Sequence, residues 1–158
     1  MNSKPVLNVH CDGSCYHKDG RMGMGFAGFI GDDKKPTFKR VISSGDQTGS
    51  SNEAEYRAVI AALTYLVNQL DRLSIYSEII IYGDSELTMR QLSFIYKVNK
   101  PELKVLHRQA IELTEKIEQK IPLHFAWVSR ENYRQRKVDV LSKQGNNYFK
   151  DKYERTER

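Results

Sequence analysis

The sequence predicts an α/β protein with a five-stranded mixed sheet and helices on both faces of that sheet. Three strand-like stretches follow one another before the first helical pattern, which is typical of an antiparallel meander. Two further strands then alternate with helical patterns, as expected where parallel strands join a sheet. The 158 residues of the chain are enough for one domain with a sizeable core.

The first third of the chain predicts the antiparallel part of the sheet. In its first strand Asn8, His10 and Asp12 share one face, because successive side chains of a strand point to opposite sides. Gly13 and the polar residues after it indicate a turn. The predicted boundaries are 5–12, 23–30 and 37–42 for the three strands and 43–49 for a polar loop.

The rest of the chain predicts helices that alternate with two more strands. Ser50 and Glu53 fit a capping box, and the helix that they begin is apolar on more than one side, as in a central helix. Pro101 is suited to the first turn of a later helix. The remaining predicted elements are a buried parallel strand at 78–82, a helix capped by Ser85, a strand at 123–127 and a helix at 138–144.

Composition and charge narrow the functional classes. We expect one domain over 1–158, with a core of about 5–145 and a charged tail at 146–158. The chain has no apolar run long enough for a membrane span and no signal-peptide pattern, and two cysteines do not make a disulfide framework. We therefore expect a cytoplasmic monomer. The net charge of +5 and pI of about 9.1 favour a polyanionic partner.

Four carboxylates occur at well-defined points of these elements. Asp12 and Asp84 each end a strand, and parallel neighbours would bring them together at the carboxyl edge of the sheet. Glu55 lies early in the central helix, and Asp139 lies at the start of the last helix. Any one of these side chains is most simply a cap or a surface charge. Together they would repel one another unless divalent cations bind, and oxygen ligands favour Mg²⁺ or Mn²⁺ over Zn²⁺.

The stretches around these carboxylates together resemble the four motifs of the type 1 ribonuclease H family. They occur in the family's order, with suitable spacing, over about residues 5–145. The nearest pattern is the compact form of archaeal, some bacterial and plant-type members, which lacks the basic protrusion. The stretches are Cys11–Ser14, Ser50–Tyr56, Tyr82–Leu87 and Val138–Leu141.

This resemblance implies a fold, an activity and a set of site residues. The implied activity is hydrolysis of the RNA strand of an RNA–DNA hybrid, leaving 5′-phosphate and 3′-hydroxyl ends. The resemblance also implies that two Mg²⁺ ions bind at the site as cofactors and that Mn²⁺ can replace them. The implied metal ligands are Asp12, Glu55, Asp84 and Asp139, with Asp12 between the two ions. The implied minor-groove contacts are Asn52, Ser14, Cys15 and Gln91, and Ser50 is the implied contact to a DNA phosphate.

A basic cluster next to Asp139 suggests a further contact with nucleic acid. We predict that Arg134 and Lys137 of this cluster bind phosphate in a salt-dependent way. The cluster consists of Arg130, Arg134, Arg136, Lys137 and Lys143. The sequence also departs from the family here. The loop before Asp139 has no histidine, and Gln135 stands where the family has asparagine.

Several alternatives stay open from the sequence. The enzyme could also cleave double-stranded RNA. The chain could instead be a non-catalytic hybrid-binding module or a DNA-cleaving relative such as a resolvase or integrase. A GxGxxG pattern at 23–28 opens no helix, so we interpret its glycines as allowing close packing against the sheet. We expect Trp127 to be a core residue.

Overall fold

A computed structural model describes residues 3–148 as a five-stranded mixed sheet with helices on both faces. The strand order is β3-β2-β1-β4-β5. The strand β1 is central, antiparallel to β2 and parallel to β4, so the predicted fold class is confirmed. The strands are β1 (Leu7–Cys15), β2 (Arg21–Ile30), β3 (Phe38–Thr48), β4 (Ile79–Gly83) and β5 (Leu123–Trp127).

Four α-helices and one 3₁₀ helix complete the described part of the chain. The predicted caps are present: the Ser50 hydroxyl accepts a hydrogen bond from the Glu53 amide, and Ser85 does the same for Thr88. No described helix is long and apolar enough to cross a bilayer. The helices are α1 (Ser51–Asn68), α2 (Glu86–Leu92), α3 (Pro101–Glu118) and α4 (Tyr133–Gly145), and the 3₁₀ helix spans Leu70–Ile75.

The sheet separates two apolar layers. Because side chains alternate along a strand, Phe26 faces α1 and α3, whereas Phe29 faces α4. The larger layer lies between the sheet and α1 and α3, and the smaller one lies under α4. Since β1 is covered on both sides, its polar residues Asn8, His10 and Asp12 are buried as well.

The glycine-rich strand β2 lets α4 approach the sheet closely. A Cβ atom on Gly23 would lie 1.9 Å from the backbone oxygen of Ser142, and one on Gly25 would lie 2.5 Å from the Cβ of Leu141. Both distances are far below van der Waals contact, so only glycine fits at these positions. The GxGxxG pattern therefore serves helix packing, as its position inside a strand predicts.

The structure differs from the sequence-based boundaries in three places near the site. The strand β1 continues through the predicted turn to Cys15 because Gly13–Cys15 pair with β2, so Asp12 lies inside the strand instead of ending it. The strand β3 continues to Thr48 through the predicted polar loop, because an exposed edge strand pairs with β2 without needing apolar side chains. The helix α4 begins at Tyr133 instead of residue 138. The cause is Asn132, whose side-chain oxygen accepts hydrogen bonds from the amides of Arg134 and Gln135 and so caps the helix earlier.

Two further expectations change at the ends of elements. Trp127 is 48% exposed because it ends the edge strand β5, so the expectation of a core residue is wrong. Asn146, which we placed in the tail, is buried and donates a hydrogen bond to the Ser14 hydroxyl at 2.8 Å. The rest of the predicted tail, from 149 to 158, lies outside the described residues.

Candidate active site

The parallel pairing of β1 with β4 places two carboxylates at one edge of the sheet. His10 lies opposite Tyr82 in this pairing, and Asp12 and Asp84 each follow two residues later. Both side chains therefore reach the carboxyl edge at the same level, where the strand ends leave a cleft. Asp12 is only 3% exposed, whereas Asp84 is partly exposed.

A close contact between β1 and α1 adds the third carboxylate. A Cβ atom on Gly13 would lie 1.9 Å from the backbone oxygen of Ala54 and 2.6 Å from the amide nitrogen of Glu55. The glycine after Asp12 therefore lets the first turns of α1 rest on the strand. As a result, carboxylate oxygens of Asp12, Glu55 and Asp84 all lie within 4.8 Å of one another.

Asp139 lines the same cleft from the side of α4, outside this group of three. Its carboxylate oxygen lies 3.2 Å from the ammonium nitrogen of Lys143, one helical turn later. The cleft has a volume of about 550 Å³. Its lining residues are Asp12, Gly13, Ser14, Cys15, Ser51, Glu55, Asp84, Arg130, Glu131, Asp139 and Lys143.

The electrostatics of the cluster oppose three ionised carboxylates. Burial, followed by the negative charge of Asp84, raises the pKa of Asp12 from 3.8 to about 8. Burial also raises the pKa of Glu55 well above 4.5, and the charges of Asp12 and Asp84 add to this. The pKa of Asp84 is raised by burial and partly lowered by the Arg130 guanidinium. The cluster is thus a site for positive charge.

Two of the predicted substrate contacts line the cleft. Ser14 is the last but one residue of β1, and its hydroxyl accepts a hydrogen bond from Asn146. Cys15 is its neighbour, and its thiol donates a hydrogen bond to the backbone oxygen of Gly49 at 2.9 Å. Burial raises the pKa of this thiol. Cys15 therefore faces the cleft in its neutral form.

The structure does not bring the other predicted groove contacts into the cleft. Ser50 caps α1 and Asn52 lies in its first turn, while Ser51 between them lines the cleft. Gln91 is buried, with its side-chain oxygen accepting a hydrogen bond from the Tyr56 hydroxyl at 2.6 Å and its amide donating to the backbone oxygen of Lys97. For Ser50, Asn52 and Gln91, contact with nucleic acid stays a prediction.

Arg134 and Lys137 do not line the cleft, and their binding of phosphate stays a prediction. The Arg134 guanidinium donates hydrogen bonds to the backbone oxygens of Gly31 and Asp33 and lies 4.6 Å from the centre of the Phe29 ring. The Lys137 ammonium donates to the backbone oxygen of Lys34. Because α4 begins at Tyr133, these residues lie on a different side of the helix from Asp139.

Gln135 has a structural position that its sequence context did not indicate. It is fully buried, its side-chain amide donates to the backbone oxygen of Cys11 at 2.7 Å, and its oxygen lies 3.1 Å from Nδ1 of His10. Burial lowers the pKa of His10 from 6.5 to about 4, so the neutral imidazole donates this hydrogen bond. The pair ties α4 to the strand that carries Asp12.

The cleft also contains residues that sequence reasoning left out of the predicted site. Arg130 and Lys143 belong to the same basic cluster as Arg134, and they are the members that line the cleft. The spacing of four between Asp139 and Lys143 is a usable signal, because such residues share one face of a helix. For Ser51 and Glu131 the sequence offers no comparable signal.

Comparison with known proteins agrees with the fold. A profile of the RNase H family matches residues 4–147. The chain is 26% identical to the N-terminal RNase H domain of a Mycobacterium tuberculosis protein, with a TM-score of 0.73 over 89% of this chain and 93% of that one. It is 27% identical to LC11-RNase H1, isolated from compost by a metagenomic approach, with a TM-score of 0.75 over 89% and 94%.

A third solved structure shares the fold at lower identity. RNase H1 from the halophilic archaeon Halobacterium salinarum is 23% identical, with a TM-score of 0.74 over 92% of this chain and 98% of that one. No curated protein sequence matches the chain. The family profile covers nearly the whole chain and the fold agrees with it, so the chain belongs to the RNase H family.

Proposed function

We propose that the chain is a divalent-metal-dependent endoribonuclease that hydrolyses the RNA strand of RNA–DNA hybrids to 5′-phosphate and 3′-hydroxyl ends. The observation that carries this proposal is the group of Asp12, Glu55 and Asp84, whose oxygens lie within 4.8 Å of one another in an open cleft. Family membership supports it. In a second structure, LC11-RNase H1 is in complex with an RNA/DNA hybrid. This chain aligns with that structure at 24% identity and a TM-score of 0.72.

The donor set fits a hard divalent cation. Asp12, Glu55 and Asp84 offer carboxylate oxygens without histidine or thiolate, which favours Mg²⁺, with Mn²⁺ as an alternative. Asp139, which lines the same cleft from α4, would complete a second position together with Asp12. When bound in pairs, such ions activate a water molecule and stabilise the leaving oxygen of a phosphodiester.

The residues of the chain have separate roles in this proposal. Asp12 is the most buried of the four carboxylates by solvent exposure, and it would be the ligand common to both positions. Arg130 lines the cleft and lowers the pKa of Asp84 through its charge. A guanidinium at this edge is suited to a backbone phosphate. Ser14, Cys15 and Ser51 form the wall along which the hybrid would lie.

The choice of substrate decides between this activity and its alternatives. The 2′-hydroxyl is the group that distinguishes RNA from DNA, so a DNA-cleaving relative would ignore it. A binding module would bind hybrid without cutting it, and four intact carboxylates are unnecessary for binding alone. Cleavage of double-stranded RNA would be an additional activity of the same cleft.

One assay with matched duplexes tests the proposal. Labelled RNA–DNA, RNA–RNA and DNA–DNA duplexes of one sequence are incubated with the protein and Mg²⁺, with an EDTA reaction and Asp12→Asn as controls. We expect cutting of the RNA strand of the hybrid, with 5′-phosphate ends, and no cutting in EDTA or with the variant. Binding without cutting, cutting of DNA, or cutting that survives EDTA would refute the proposal.

A further inference from the structure

The side chain of Ser142 contacts the most buried carboxylate of the cluster from behind. Ser142 lies in α4 and is fully buried, and its hydroxyl lies 2.8 Å from Oδ2 of Asp12. The same hydroxyl lies 2.9 Å from the backbone oxygen of Asp139, three residues earlier in the helix. Ser142 thus connects α4 directly with the carboxylate of Asp12 in β1.

The two acceptors of Ser142 have different consequences. A hydroxyl has one proton, so it donates to only one of them at a time. The contact with the Asp139 carbonyl is the local bond that serine commonly makes within a helix, and it satisfies a buried hydroxyl by itself. The contact with Asp12 joins residues 130 positions apart and is charge-assisted when Asp12 is ionised, which makes it the stronger of the two.

Two glycines of β2 let α4 lie close enough to the sheet for Ser142 to contact Asp12. Gly23 and Gly25 remove the Cβ atoms that would collide with α4, and a Cβ on Gly25 would lie 2.9 Å from the Ser142 amide nitrogen. A side chain at either position would push α4 away from the sheet. Ser142 would then lose Asp12 while keeping its bond to the Asp139 carbonyl.

We propose that Ser142 is a positioning residue that holds the carboxylate of Asp12 in the orientation needed to bind divalent cations. This inference depends on the proposed function, because it assumes that Asp12 is a metal ligand. One oxygen of Asp12 is held from α4 by the hydroxyl, so rotation of the carboxylate is restricted relative to the oxygens of Glu55 and Asp84 within 4.8 Å. Partners of this kind orient metal ligands, and their loss typically weakens metal binding or activity by roughly 10–100-fold.

The test measures metal binding by the whole chain without nucleic acid. Mn²⁺ is titrated into wild type, Ser142→Ala, Ser142→Cys and Asp12→Asn, and free Mn²⁺ is followed by electron paramagnetic resonance. We expect Ser142→Ala to raise the Kd for Mn²⁺ about tenfold, with Ser142→Cys between it and wild type because a thiol is a weaker donor. The melting temperature of Ser142→Ala without metal should stay within about 3 °C of wild type.

A matched control separates positioning from a general effect of losing a buried hydroxyl. Thr114 in α3 is buried and donates to the backbone oxygen of Ala110 at 2.8 Å, far along the chain from the cleft residues. We expect Thr114→Val to bind Mn²⁺ like wild type. If Ser142→Ala does not fold, Ser142→Cys alone should still weaken Mn²⁺ binding by about threefold or more.

The outcomes distinguish the two proposals. If wild type binds Mn²⁺, Asp12→Asn does not, and Ser142→Ala lies within about twofold of wild type, the role of Ser142 is overturned while the proposed function stands. An equal loss in Ser142→Ala and Thr114→Val overturns the role of Ser142 as well. If wild type itself binds no Mn²⁺, the proposed metal-dependent function is overturned, and the role of Ser142 is overturned with it.

Discussion

Replacing Asp12 by asparagine should stabilise the metal-free protein while it abolishes hydrolysis. The folded pKa of Asp12, about 8, lies above its ordinary value of 3.8. Between these values the unfolded chain releases a proton that the folded protein keeps, so stability falls as the pH rises through this window. Each pH unit corresponds to about 1.4 kcal/mol, so ionisable Asp12 costs at most roughly 4 kcal/mol of folding free energy at pH 7.

The asparagine side chain removes this cost and keeps the local contacts. Its oxygen accepts the hydrogen bond from Ser142, and its amide donates to Glu55 or Asp84 instead of repelling them. The cleft is open to water, which reduces the benefit, so we expect a gain of about 1–3 kcal/mol at pH 7. For a domain of this size that is a rise in melting temperature of roughly 3–10 °C.

Thermal unfolding in EDTA measures this gain. Wild type, Asp12→Asn and Asp32→Asn are compared at pH 7.5 and at pH 4, where Asp32 is a matched exposed aspartate on the β2–β3 turn. The stabilisation should be specific to Asp12→Asn and should shrink at pH 4, and Mg²⁺ should raise the melting temperature of wild type more than that of Asp12→Asn. An Asp12→Asn protein that is less stable than wild type in EDTA at pH 7.5 would contradict the electrostatic account.

Three other predictions concern the supports of the cleft. The His10 imidazole should titrate near pH 4 by NMR. The stability contributed by the buried neutral imidazole should be complete above pH 6.5 and should be lost as the pH falls from 6.5 through 4. An NMR titration midpoint near 6.5 would show that the His10 imidazole is not buried. Gln135→Ala should cost about 2–4 kcal/mol in urea denaturation, because the Cys11 carbonyl and His10 lose their partner. The exposed Gln144→Ala should cost less than about 0.5 kcal/mol, and equal costs would refute the role of Gln135. Arg130→Ala should raise KM for the hybrid and flatten its salt dependence, whereas Arg134→Ala should mainly lower stability. The reverse pattern would restore Arg134 as a phosphate contact.

The part of the site that depends on strand order was predictable from the sequence. Asp12 and Asp84 follow apolar strands, and a parallel pairing of such strands puts their ends at one edge of the sheet. The structure has this pairing, with His10 opposite Tyr82. Glu55 could be assigned to the site only from the motif around it. Apolar periodicity places this residue on a helix, but it does not show that the helix packs against Gly13.

The part that depends on where α4 begins was not predictable. Asn132 caps α4, so the helix begins at Tyr133, five residues before the boundary that apolar spacing suggests. Residues 133–137 are therefore helical, and the step of about 100° per residue puts Arg134 and Lys137 on a different side of the helix from Asp139. Arg134 therefore clamps the turn at Gly31 instead of lining the cleft. Gln135, within a run of basic residues that reads as exposed, is instead buried against Cys11.

Contacts between distant segments were also beyond the sequence. Ser142 is one of several polar residues in the last helix, and only the close packing over Gly23 and Gly25 shows that it meets Asp12. Trp127 is the opposite case, because the sequence predicts burial and the structure leaves the side chain exposed. Its alternating strand predicts burial, but β5 is an edge strand and its last residue has no neighbour on one side.

The central claim is that the acidic cleft cleaves RNA paired with DNA by means of bound divalent cations. The most direct measurement is the initial rate of cleavage of a hybrid labelled on its RNA strand, as a function of Mg²⁺ concentration, for wild type and Asp84→Asn. We expect a wild-type rate that rises from zero and saturates with Mg²⁺, and no cleavage by folded Asp84→Asn at any concentration. A wild-type rate independent of Mg²⁺, or full activity of Asp84→Asn, would contradict it.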